Sequence, residues 1–305
     1  MSRRGGAVAV ALVAAAALAG GGACKATLTP GGLYDLAKGI KDAKKELTPE
    51  NEYYLGRAVG TKILANADYR YEDEDGWQSG RLSSTTAYVN AVGNVVAFAA
   101  MGAPRDGDRP SPLAGWHFVI LDDESINAFA APGGYVFVTS GAIHQARSED
   151  ELAAILAHEV AHVVRGHAIG SIQKSRMSGV MKQFLDSSVE LDPEVEAQMA
   201  SVFGGSIDDI VDGALVKGYS KDTEFEADRV GLAIMVAAGY DPQAFVSYLR
   251  TLASHQDTGS GGFYATHPKA SERIAKLEAL VAKQAPVRVP AIRVERFEAA
   301  VSELP

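Results

Sequence analysis

The chain has 305 residues, of which 47% are hydrophobic and 22% charged, a composition typical of a folded protein with a sizeable core. Its formal net charge is −9 and no stripe rich in lysine and arginine occurs, which argues against a nucleic-acid-binding protein. The only cysteine, Cys24, cannot form a disulfide within the chain. We interpret the most acidic run, residues 72–75, as a solvated loop, with a calcium site as the alternative.

The N-terminus has the features of an export signal. Two arginines precede an unbroken apolar stretch over residues 7–19, and small residues lead from there to Cys24. This stretch is shorter than the about 20 residues of a membrane-spanning helix, so we predict a signal peptide over residues 1–23. A lone thiol directly after the signal favours acylation of Cys24, as in lipoproteins. Because Gly21 stands where lipoprotein signals usually carry a leucine-like residue, ordinary cleavage and an uncleaved anchor stay open as alternatives.

The first half of the remaining chain alternates helical patterns with polar loops and then becomes rich in β-forming residues. Thr48 followed by Pro49 is typical of a helix start, because threonine caps the first turn and proline fits it. Apolar residues then recur three and four positions apart, as on one face of a helix. In order, we predict a lead or linker over 24–47, a helix over 48–64, a polar loop over 66–86, a helix over 86–100, a turn region over 103–115, and strands at 116–121 and 135–139.

The second half of the chain is mainly helical in pattern. Ser148 with Glu151, and Thr223 with Glu226, have the spacing of capping boxes that open helices. In order, we predict a helix containing residues 152–167, a helical stretch over 169–217, a helix from 223 to 239, a helix over 243–253, a last helix over 269–284, and an extended tail over 286–305. These elements make one α+β domain over residues 48–285, mostly helical, with a small mixed β-sheet.

One apolar helical run contains a pattern typical of metal sites, His158-Glu159-Val160-Ala161-His162, or H-E-x-x-H. Residues four apart lie about 40° apart around a helix, so both imidazoles can reach one metal ion at about 2.0–2.1 Å. Glu159 lies about 100° further round, where it can take a proton from water beside an open coordination position. His167 lies about 180° from His158 on a straight helix, so we expect it to make a structural hydrogen bond unless Gly166 breaks the helix.

The run TEFEADRVG contains the best candidate for a third ligand. Glu224 and Asp228 share one helical face, whereas Glu226 points about 200° away from Glu224. Ala227 and Gly231 are small enough to let this helix pack closely against the histidine helix. We predict Glu224 as the ligand and Asp228 as the partner of a ligating histidine, with a solvated acidic face as the alternative. Two histidines, a glutamate and an open position form a catalytic rather than a structural zinc set.

Five segments together resemble the gluzincin zinc metallopeptidases, the family of the CAAX prenyl protease, the heat-shock membrane proteases and soluble periplasmic lipoprotein members tied to outer-membrane maintenance. These segments are NEYYLG, INAFAAPGGYVFVTSGAI, SEDELAAILAHEVAHVVRGH, YSKDTEFEADRVGL and THPKASERI, between about residues 50 and 275. The resemblance implies a zincin-type metallopeptidase domain with the sheet beside the H-E-x-x-H helix. Because no membrane-spanning run separates the segments, it favours the soluble periplasmic branch.

The resemblance also implies a role for each candidate site residue. His158, His162 and Glu224 would bind one Zn²⁺ per chain, and Glu159 would be the general base. Asp228 would brace a ligating histidine from outside the coordination sphere. The family carries Ser-Arg before the third ligand where this chain has Ser-Lys, at Ser220 and Lys221, so any bracing by that arginine is in doubt.

His267, in the sequence Thr-His-Pro, matches a position that the family keeps near the metal. The resemblance implies that it donates to the oxyanion or occupies the open zinc position at rest, with a loop-ordering histidine as the alternative. We expect Arg273 to anchor this loop through an ion pair, or else to lie at the surface. The remaining histidines show no partner pattern and are interpreted as ordinary residues; they are His117, His144 and His255.

Two further segments bear on substrate access. The run NAFAAPGGYVFVT is expected to place a strand beside the cleft, which in gluzincins pairs with an extended substrate, although a plain sheet core is the alternative. Asn127 in this run fits a strand-end hydrogen-bonding role better than a catalytic one. Residues 169–217 are amphipathic and could form a lid or lean on a membrane, with a fixed helical hairpin as the alternative.

Together these features predict a zinc-dependent endopeptidase of the bacterial cell envelope that cleaves extended or misfolded polypeptides. We expect it in the periplasm or on the periplasmic face of the outer membrane, with a lipid anchor through Cys24 and no nucleic-acid partner. One alternative is a non-catalytic periplasmic chaperone or adaptor that keeps a structural zinc. Another is a zinc hydrolase that acts on small molecules instead of peptides.

Overall fold

The structure is a computed structural model, and it describes the part of the chain that surrounds the predicted metal site. The described residues are 38, 41, 47–64, 70–71, 83–102, 105–173, 218–255, 267 and 270–304. The predicted signal peptide, Cys24, nearly all of the 24–47 linker, the acidic run 72–75 and residues 174–217 of the predicted helical stretch lie outside them.

The described elements confirm the predicted mostly helical α+β class. The helices are α1 (Pro49–Leu64), α2 (Ser84–Gly102), α3 (Ser140–Gln145), α4 (Glu149–Val164), α5 (Lys221–Ala237), α6 (Gln243–His255), α7 (Ala270–Val281) and α8 (Ala291–Val301). The strands are β1 (Arg70–Tyr71), β2 (His117–Asp122), β3 (Ala128–Ala131) and β4 (Tyr135–Thr139), with a 3-10 turn at Pro132–Gly134. The predicted polar loop over 66–86 therefore contains the short strand β1.

The strands form one mixed sheet in the order β1-β2-β4-β3. Strands β2 and β4 run parallel, with Val119 opposite Phe137, and β3 returns antiparallel to β4, with Phe129 opposite Phe137. The chain reverses between β3 and β4 at Gly133 and Gly134, whose φ angles of 76° and 89° favour glycine. This order leaves β3 at one edge among the described strands.

Apolar side chains cover both faces of the sheet. On one face, Phe129 and Phe137 stack with ring centroids 5.0 Å apart and pack with Val59 and Ile63 of α1. On the other face, the alternate residues of β2 and β4 join the main core with α2, α4, α5, α6 and α7. Helix α4 lies inside this core, and nearly all of its residues are buried.

Helices α4 and α5 approach each other closely, as the small residues on α5 predict. A Cβ atom on Gly231 would lie 3.1 Å from the backbone carbonyl oxygen of Ala157 on α4, and Ala227 is fully buried. Since real Cβ atoms rarely approach so closely, glycine is what lets the two helix backbones pack at this point.

One of the two predicted capping boxes opens a helix. Ser148 caps α4, and its side chain accepts a hydrogen bond from the Glu151 backbone N–H at 3.2 Å. The prediction that Thr223 caps the second helix is wrong, because Ser220 caps α5 three residues earlier and accepts from the Thr223 backbone N–H. The Glu226 side chain, which a capping box would use, is paired with Arg165 instead.

The prediction of an extended tail over residues 286–305 is also wrong, since α8 occupies Ala291–Val301. Phe297 and Ala300 are buried, so this short helix has an apolar face against the core. Its basic face pairs with two acidic residues at the start of α4. Arg293 Nη1 lies 3.0 Å from Asp150 Oδ1, and Arg296 pairs with Glu149.

The acidic pair at the start of α4, Glu149 and Asp150, is buried and bonded to several neighbouring side chains. Glu149 also accepts hydrogen bonds from the hydroxyls of Tyr88 and Tyr240, at 2.8 and 3.2 Å. Burial raises the pKa of the Asp150 carboxyl, and Arg293 opposes that shift. Helix α8 thus neutralises two carboxylates at the N-terminus of the histidine helix.

Within the described residues, every helix is too short or too polar to cross a lipid bilayer.

The arginines of α8 can be tested directly. We expect the double variant Arg293→Met/Arg296→Met to lower the free energy of unfolding by about 3 kcal/mol, because Glu149 and Asp150 stay buried without their cations. Denaturant unfolding measures the difference, and Arg288→Met, an exposed arginine just before α8, is the control. Equal stability of the double variant and the control would show that the ion pairs of Arg293 and Arg296 do not stabilise the fold.

Candidate metal centre

Helix α4 brings the two predicted histidine ligands together. His158 and His162 lie four residues apart on one helical face, and both are buried, at 2% exposure each. Their Nε2 atoms are 3.1 Å apart. Two imidazole nitrogens therefore converge on one point inside the core.

Glu224 on α5 faces the same point from the opposite side. Its Oε2 lies 3.4 Å from His158 Nε2, and its Oε1 lies 3.5 Å from His162 Nε2. His267 completes the cluster, with Nδ1 2.7 Å from Glu224 Oε2. One ligand atom from each of these four buried residues lies within 4.8 Å of all the others.

The spacing of these atoms fits a zinc ion. Ligand atoms at 2.0–2.1 Å from a tetrahedral ion are about 3.3–3.4 Å apart, and the two Nε2 atoms at 3.1 Å and the His158 Nε2–Glu224 Oε2 pair at 3.4 Å are close to that spacing. Glu224 Oε1 is buried and has no hydrogen-bond partner among the described residues, as an atom reserved for a cation would be. Two nitrogens and a carboxylate oxygen are also the donor types of catalytic zinc sites.

Asp228 and Arg273 hold His158 from outside the cluster. Asp228 Oδ1 lies 3.1 Å from His158 Nδ1, so an Nδ1–H of His158 donates to the carboxylate. The lone pair on His158 Nε2 is then the one that can bind a metal. Arg273 of α7 donates two hydrogen bonds to Asp228, at 2.6 and 2.8 Å, and is buried. Arg273 Nη1 is also 3.6 Å from Glu224 Oε2. Lys221, by contrast, pairs with exposed Glu272 and lies outside this arrangement.

His162 has a second histidine as its outer partner. Gly166 has a φ of 64° and ends the helix, and the chain returns His167 to the cluster so that its Nδ1 lies 3.0 Å from His162 Nδ1. His167 Nε2 in turn faces Glu226 Oε2 at 3.5 Å, and Glu226 accepts from Arg165 at 2.8 Å. An Nδ1–H of His162 that donates to His167 leaves His162 Nε2 as the lone pair toward the cluster.

Two of the three proposed donors have the charge that metal binding requires, and the third, His158, must release a proton when the metal binds. Burial pushes the pKa of Glu224 upward, but the imidazoles of His267, His158 and His162 hold it well below its usual range. Burial lowers the pKa of His162 far below its ordinary value. Burial and Arg273 lower the pKa of His158, but hydrogen bonds to Asp228 and Glu224 outweigh them and raise it to about 9. An ionised Glu224 and a neutral His162 are the forms that bind metal.

Glu159 and Tyr219 each carry a polar atom that makes no hydrogen bond to the proposed ligands. Glu159 is buried, its Oε1 has no hydrogen-bond partner among the described residues, and burial raises the pKa of its carboxyl. The ring of Tyr219 stacks on that of His162, with centroids 4.5 Å apart and the planes 25° from parallel. Sequence reasoning missed Tyr219, although it directly precedes the Ser220 cap of the Glu224 helix.

A small cavity opens beside His162. The edge strand β3 and the following turn line it with Ala130, Ala131 and Pro132, and Tyr219 and Ile169 contribute further walls. The cavity therefore joins one of the proposed metal ligands to residues of strand β3.

The remaining residues that the sequence singled out lie outside the donor cluster. The backbone N–H of Asn127 donates to Thr139 Oγ1 at 3.0 Å and its carbonyl accepts from the same hydroxyl, which is a strand-end arrangement. His117 stacks on Tyr135, and His144 does not belong to the cluster found among the described residues. The side chain of His255 lies outside the described part of the chain.

Comparisons with known proteins identify similar sequences. Residues 83–281 match the sequence model of peptidase family M48. The chain is 31% identical over 201 residues to the mitochondrial metalloendopeptidase OMA1 of Schizosaccharomyces pombe, which covers 64% of this chain and 52% of that protein.

Two bacterial proteins are similar over a shorter segment. The putative beta-barrel assembly-enhancing protease of Vibrio cholerae is 35% identical over 168 residues, and the beta-barrel assembly-enhancing protease of Escherichia coli is 29% identical over 164 residues. Each alignment covers 52% of this chain and 33% of the other protein. The alignments thus span about a third to about half of the length of these relatives.

The contact between His167 and His162 gives a testable consequence. We expect His167→Ala to weaken zinc binding about 10- to 100-fold, because His162 loses the acceptor that fixes its tautomer. Competition with a chromophoric chelator measures the dissociation constant, and His144→Ala, at the exposed end of α3, is the control. Zinc affinity equal to that of the control would show that the histidine pair does not support the metal site.

Proposed function

This chain belongs to peptidase family M48, and we propose that it is a zinc-dependent endopeptidase of the bacterial cell envelope with Glu159 as its general base. One observation carries the proposal: possible ligand atoms of His158, His162 and Glu224 converge within reach of one metal ion, and Glu159, next to His158 in the sequence, is buried with them. The family makes the chain a metallopeptidase. The identity of the ion, the base and the place of action are the proposed parts.

His158, His162 and Glu224 would hold the zinc ion, and their outer partners keep them in position. Asp228 and Arg273 orient His158, while His167 orients His162. When bound, zinc supplies Lewis acidity, which polarises a peptide carbonyl and makes water acidic enough to lose a proton near neutral pH.

Glu159 would move the proton during cleavage. Its carboxylate accepts a proton from the attacking water, and the resulting acid then gives a proton to the departing amide nitrogen. Burial raises the pKa of this carboxyl, which brings it closer to the working pH and makes both transfers feasible. Its partnerless Oε1 leaves the group available to a water molecule.

His267 would occupy the fourth position around the metal in the resting enzyme and leave it when substrate binds. Its Nδ1 lies 2.7 Å from Glu224 Oε2, and it belongs to the same group of four ligand atoms. After withdrawal, its imidazole could donate to the carbonyl oxygen under attack.

The substrate would be an extended or misfolded polypeptide. Strand β3 is at the edge of the sheet among the described strands, and its residues Ala130 and Ala131 line the cavity next to His162. A peptide that adds to such an edge is bound by main-chain hydrogen bonds, which gives affinity with little sequence choice. The small side chains of this strand leave room for varied substrate side chains.

The envelope location rests on the N-terminal sequence. Residues 1–23 have the charge and apolar pattern of an export signal, and Cys24 follows as an acylation candidate. Two relatives are beta-barrel assembly-enhancing proteases by name, which supports substrates among envelope proteins such as misfolded outer-membrane proteins. Acylation would hold the enzyme on the periplasmic face of the outer membrane.

A second candidate function is a non-catalytic chaperone or adaptor with a structural zinc. The observation in its favour is that His267 brings the donor cluster to four protein residues, the number that closes structural sites. This candidate gives Glu159 no task, so a change at Glu159 separates the two functions.

We expect Glu159→Gln to keep its zinc and its fold and to cleave casein about 10²- to 10⁴-fold more slowly than the unmodified chain, because proton transfer is lost. His158→Ala should lose the metal itself, since a ligand is removed. Protease assays with and without a chelator, together with elemental analysis after desalting, measure these effects.

The control for the base is Glu278→Gln, which removes an exposed carboxylate on α7. It should retain full activity. Unimpaired cleavage by Glu159→Gln would rule out Glu159 as the base, and wild-type cleavage that a chelator does not inhibit would rule out the zinc peptidase.

The N-terminus of the mature protein gives the test of location. We expect protein purified from bacterial membranes to begin at Cys24 and to carry acyl chains, whereas Cys24→Ser should be recovered without them. Mass spectrometry of the N-terminal peptide measures this difference. A mature chain with an unmodified Cys24 would refute the anchor, and an uncleaved N-terminus would refute the predicted signal peptide.

A further inference from the structure

We infer that Tyr219 is a further catalytic residue, whose hydroxyl donates a hydrogen bond to the scissile carbonyl oxygen as that oxygen becomes negative. The inference rests on the proposed peptidase function, because it requires a peptide under attack at the metal centre. It assigns a chemical role to a residue outside the predicted ligands and base.

The fold fixes the position of Tyr219 from both sides. Ser220, the next residue, caps α5 through the Thr223 backbone N–H, so the chain direction just before the Glu224 helix is set. The aromatic ring of Tyr219 stacks on the imidazole of His162 at 4.5 Å. The tyrosine is thus held against a ligand of the metal, on the side where the cavity opens.

The hydroxyl of Tyr219 is buried and has no hydrogen-bond partner among the described residues. Buried polar groups in folded proteins nearly always have a partner, and one without a partner destabilises the fold by about 1–3 kcal/mol. Tyr240 shows the usual arrangement, since its hydroxyl donates to Glu149 at 3.2 Å. The ring stacking of Tyr219 explains the aromatic ring but gives no reason for the hydroxyl.

The electrostatic surroundings favour a donor that acts on a new negative charge. Burial raises the pKa of the Tyr219 hydroxyl, and the negative charges of Glu159 and Glu224 raise it further, so the phenol stays protonated. Tyr219 lines the cavity together with His162 and with Ala130 and Ala131 of strand β3. A neutral donor there gains most when the carbonyl oxygen takes on charge in the transition state.

Tyr219 also complements His267, the donor that the sequence suggests. His267 Nδ1 is engaged with Glu224, and the imidazole belongs to the donor cluster. While His267 binds the metal, it cannot donate a hydrogen bond to the substrate. Tyr219 supplies a hydrogen-bond donor that is not one of the clustered metal-binding groups.

The test is Tyr219→Phe, which keeps the stacked ring and removes only the hydroxyl. We expect kcat to fall about 100-fold while KM changes less than about threefold, because the lost bond forms in the transition state. Zinc content should be unchanged, and the thermal midpoint should stay equal or rise, since no partnered hydrogen bond is removed. The kcat of each variant is calculated per mole of bound zinc, on protein from which aggregates have been removed.

The matched control is Tyr240→Phe, which removes a buried hydroxyl far from the donor cluster. It should keep kcat and lower the thermal midpoint, because Glu149 loses a hydrogen bond. A catalytic hydroxyl at Tyr219 predicts that Tyr219→Phe loses kcat but not thermal stability, whereas Tyr240→Phe loses thermal stability but not kcat. A structural hydroxyl at Tyr219 would instead make both variants lose thermal stability.

A second measurement uses two peptide ligands of the same sequence. A phosphonate peptide, which carries a tetrahedral anionic centre, should bind Tyr219→Phe about 100-fold more weakly than wild type, while an uncleavable ketomethylene peptide should bind both equally. Equal weakening of both ligands would show that the hydroxyl positions substrate, and would overturn the inference.

The remaining outcomes separate this inference from the proposed function. Full kcat in Tyr219→Phe, or loss of zinc or fold in that variant, overturns the role of the hydroxyl and leaves the peptidase intact. Absence of chelator-sensitive cleavage by the wild type removes the proposed function, and the role of Tyr219 with it.

Discussion

The close packing of α4 against α5 is the contact on which the metal centre depends. His158 and His162 come from one helix and Glu224 from the other, so the three donors meet only if the two backbones approach closely. Gly231 permits this approach, because a Cβ there would lie 3.1 Å from the Ala157 carbonyl oxygen. A larger residue would separate the helices by tenths of an ångström or more, and ligand distances near 3.4 Å tolerate little of that. The separation of the donor atoms is therefore set by backbone packing at Gly231, about two turns along α5 from Glu224.

Buried charge near this contact is balanced in two separate groups. Around the donors, Arg273 neutralises Asp228, and the carboxylate still accepts the proton of His158. At the other end of α4, the arginines of α8 neutralise Glu149 and Asp150. Isolated charges are costly inside a protein, whereas pairs with good geometry are tolerated. The histidine helix is thus held at both ends by ion pairs from elements that lie more than forty residues away in the sequence.

The proposed ligands could be predicted from the local spacing of residues in the sequence. The position of His167, helix α8 and the cap of α5 could not, because they depend on contacts that the local pattern does not specify. His158 and His162 follow from helical periodicity, and Glu224 with Asp228 follow from the same rule on α5. The position of His167 depends on the φ of 64° at Gly166, which reverses the face that a straight helix would present. Helix α8 packs Phe297 and Ala300 against the core and pairs its arginines with Glu149 and Asp150, and residues 286–305 alone do not specify these contacts. The Ser220 cap was missed because Thr223 with Glu226 also has the spacing of a capping box. In the fold, Glu226 pairs with Arg165 and is not used for capping.

The polar atoms left without partners distinguish a reactive site from a merely stable one. A structural metal site binds its ion and satisfies every neighbouring polar group, because each unmet hydrogen bond destabilises the fold. Here Glu159 Oε1 and the Tyr219 hydroxyl are buried beside the donors, and neither has a partner among the described residues. Elsewhere in the described core, the buried hydroxyls of Thr85 and Tyr240 donate to an acceptor, although Trp116 Nε1 and Asn127 Oδ1 are also buried without a partner among the described residues. Under the proposed function, the carboxyl of Glu159 would take a proton from water and the hydroxyl of Tyr219 would donate to a carbonyl oxygen that gains charge. The stability lost at these two atoms would then be the cost of a base and a hydrogen-bond donor for peptide hydrolysis.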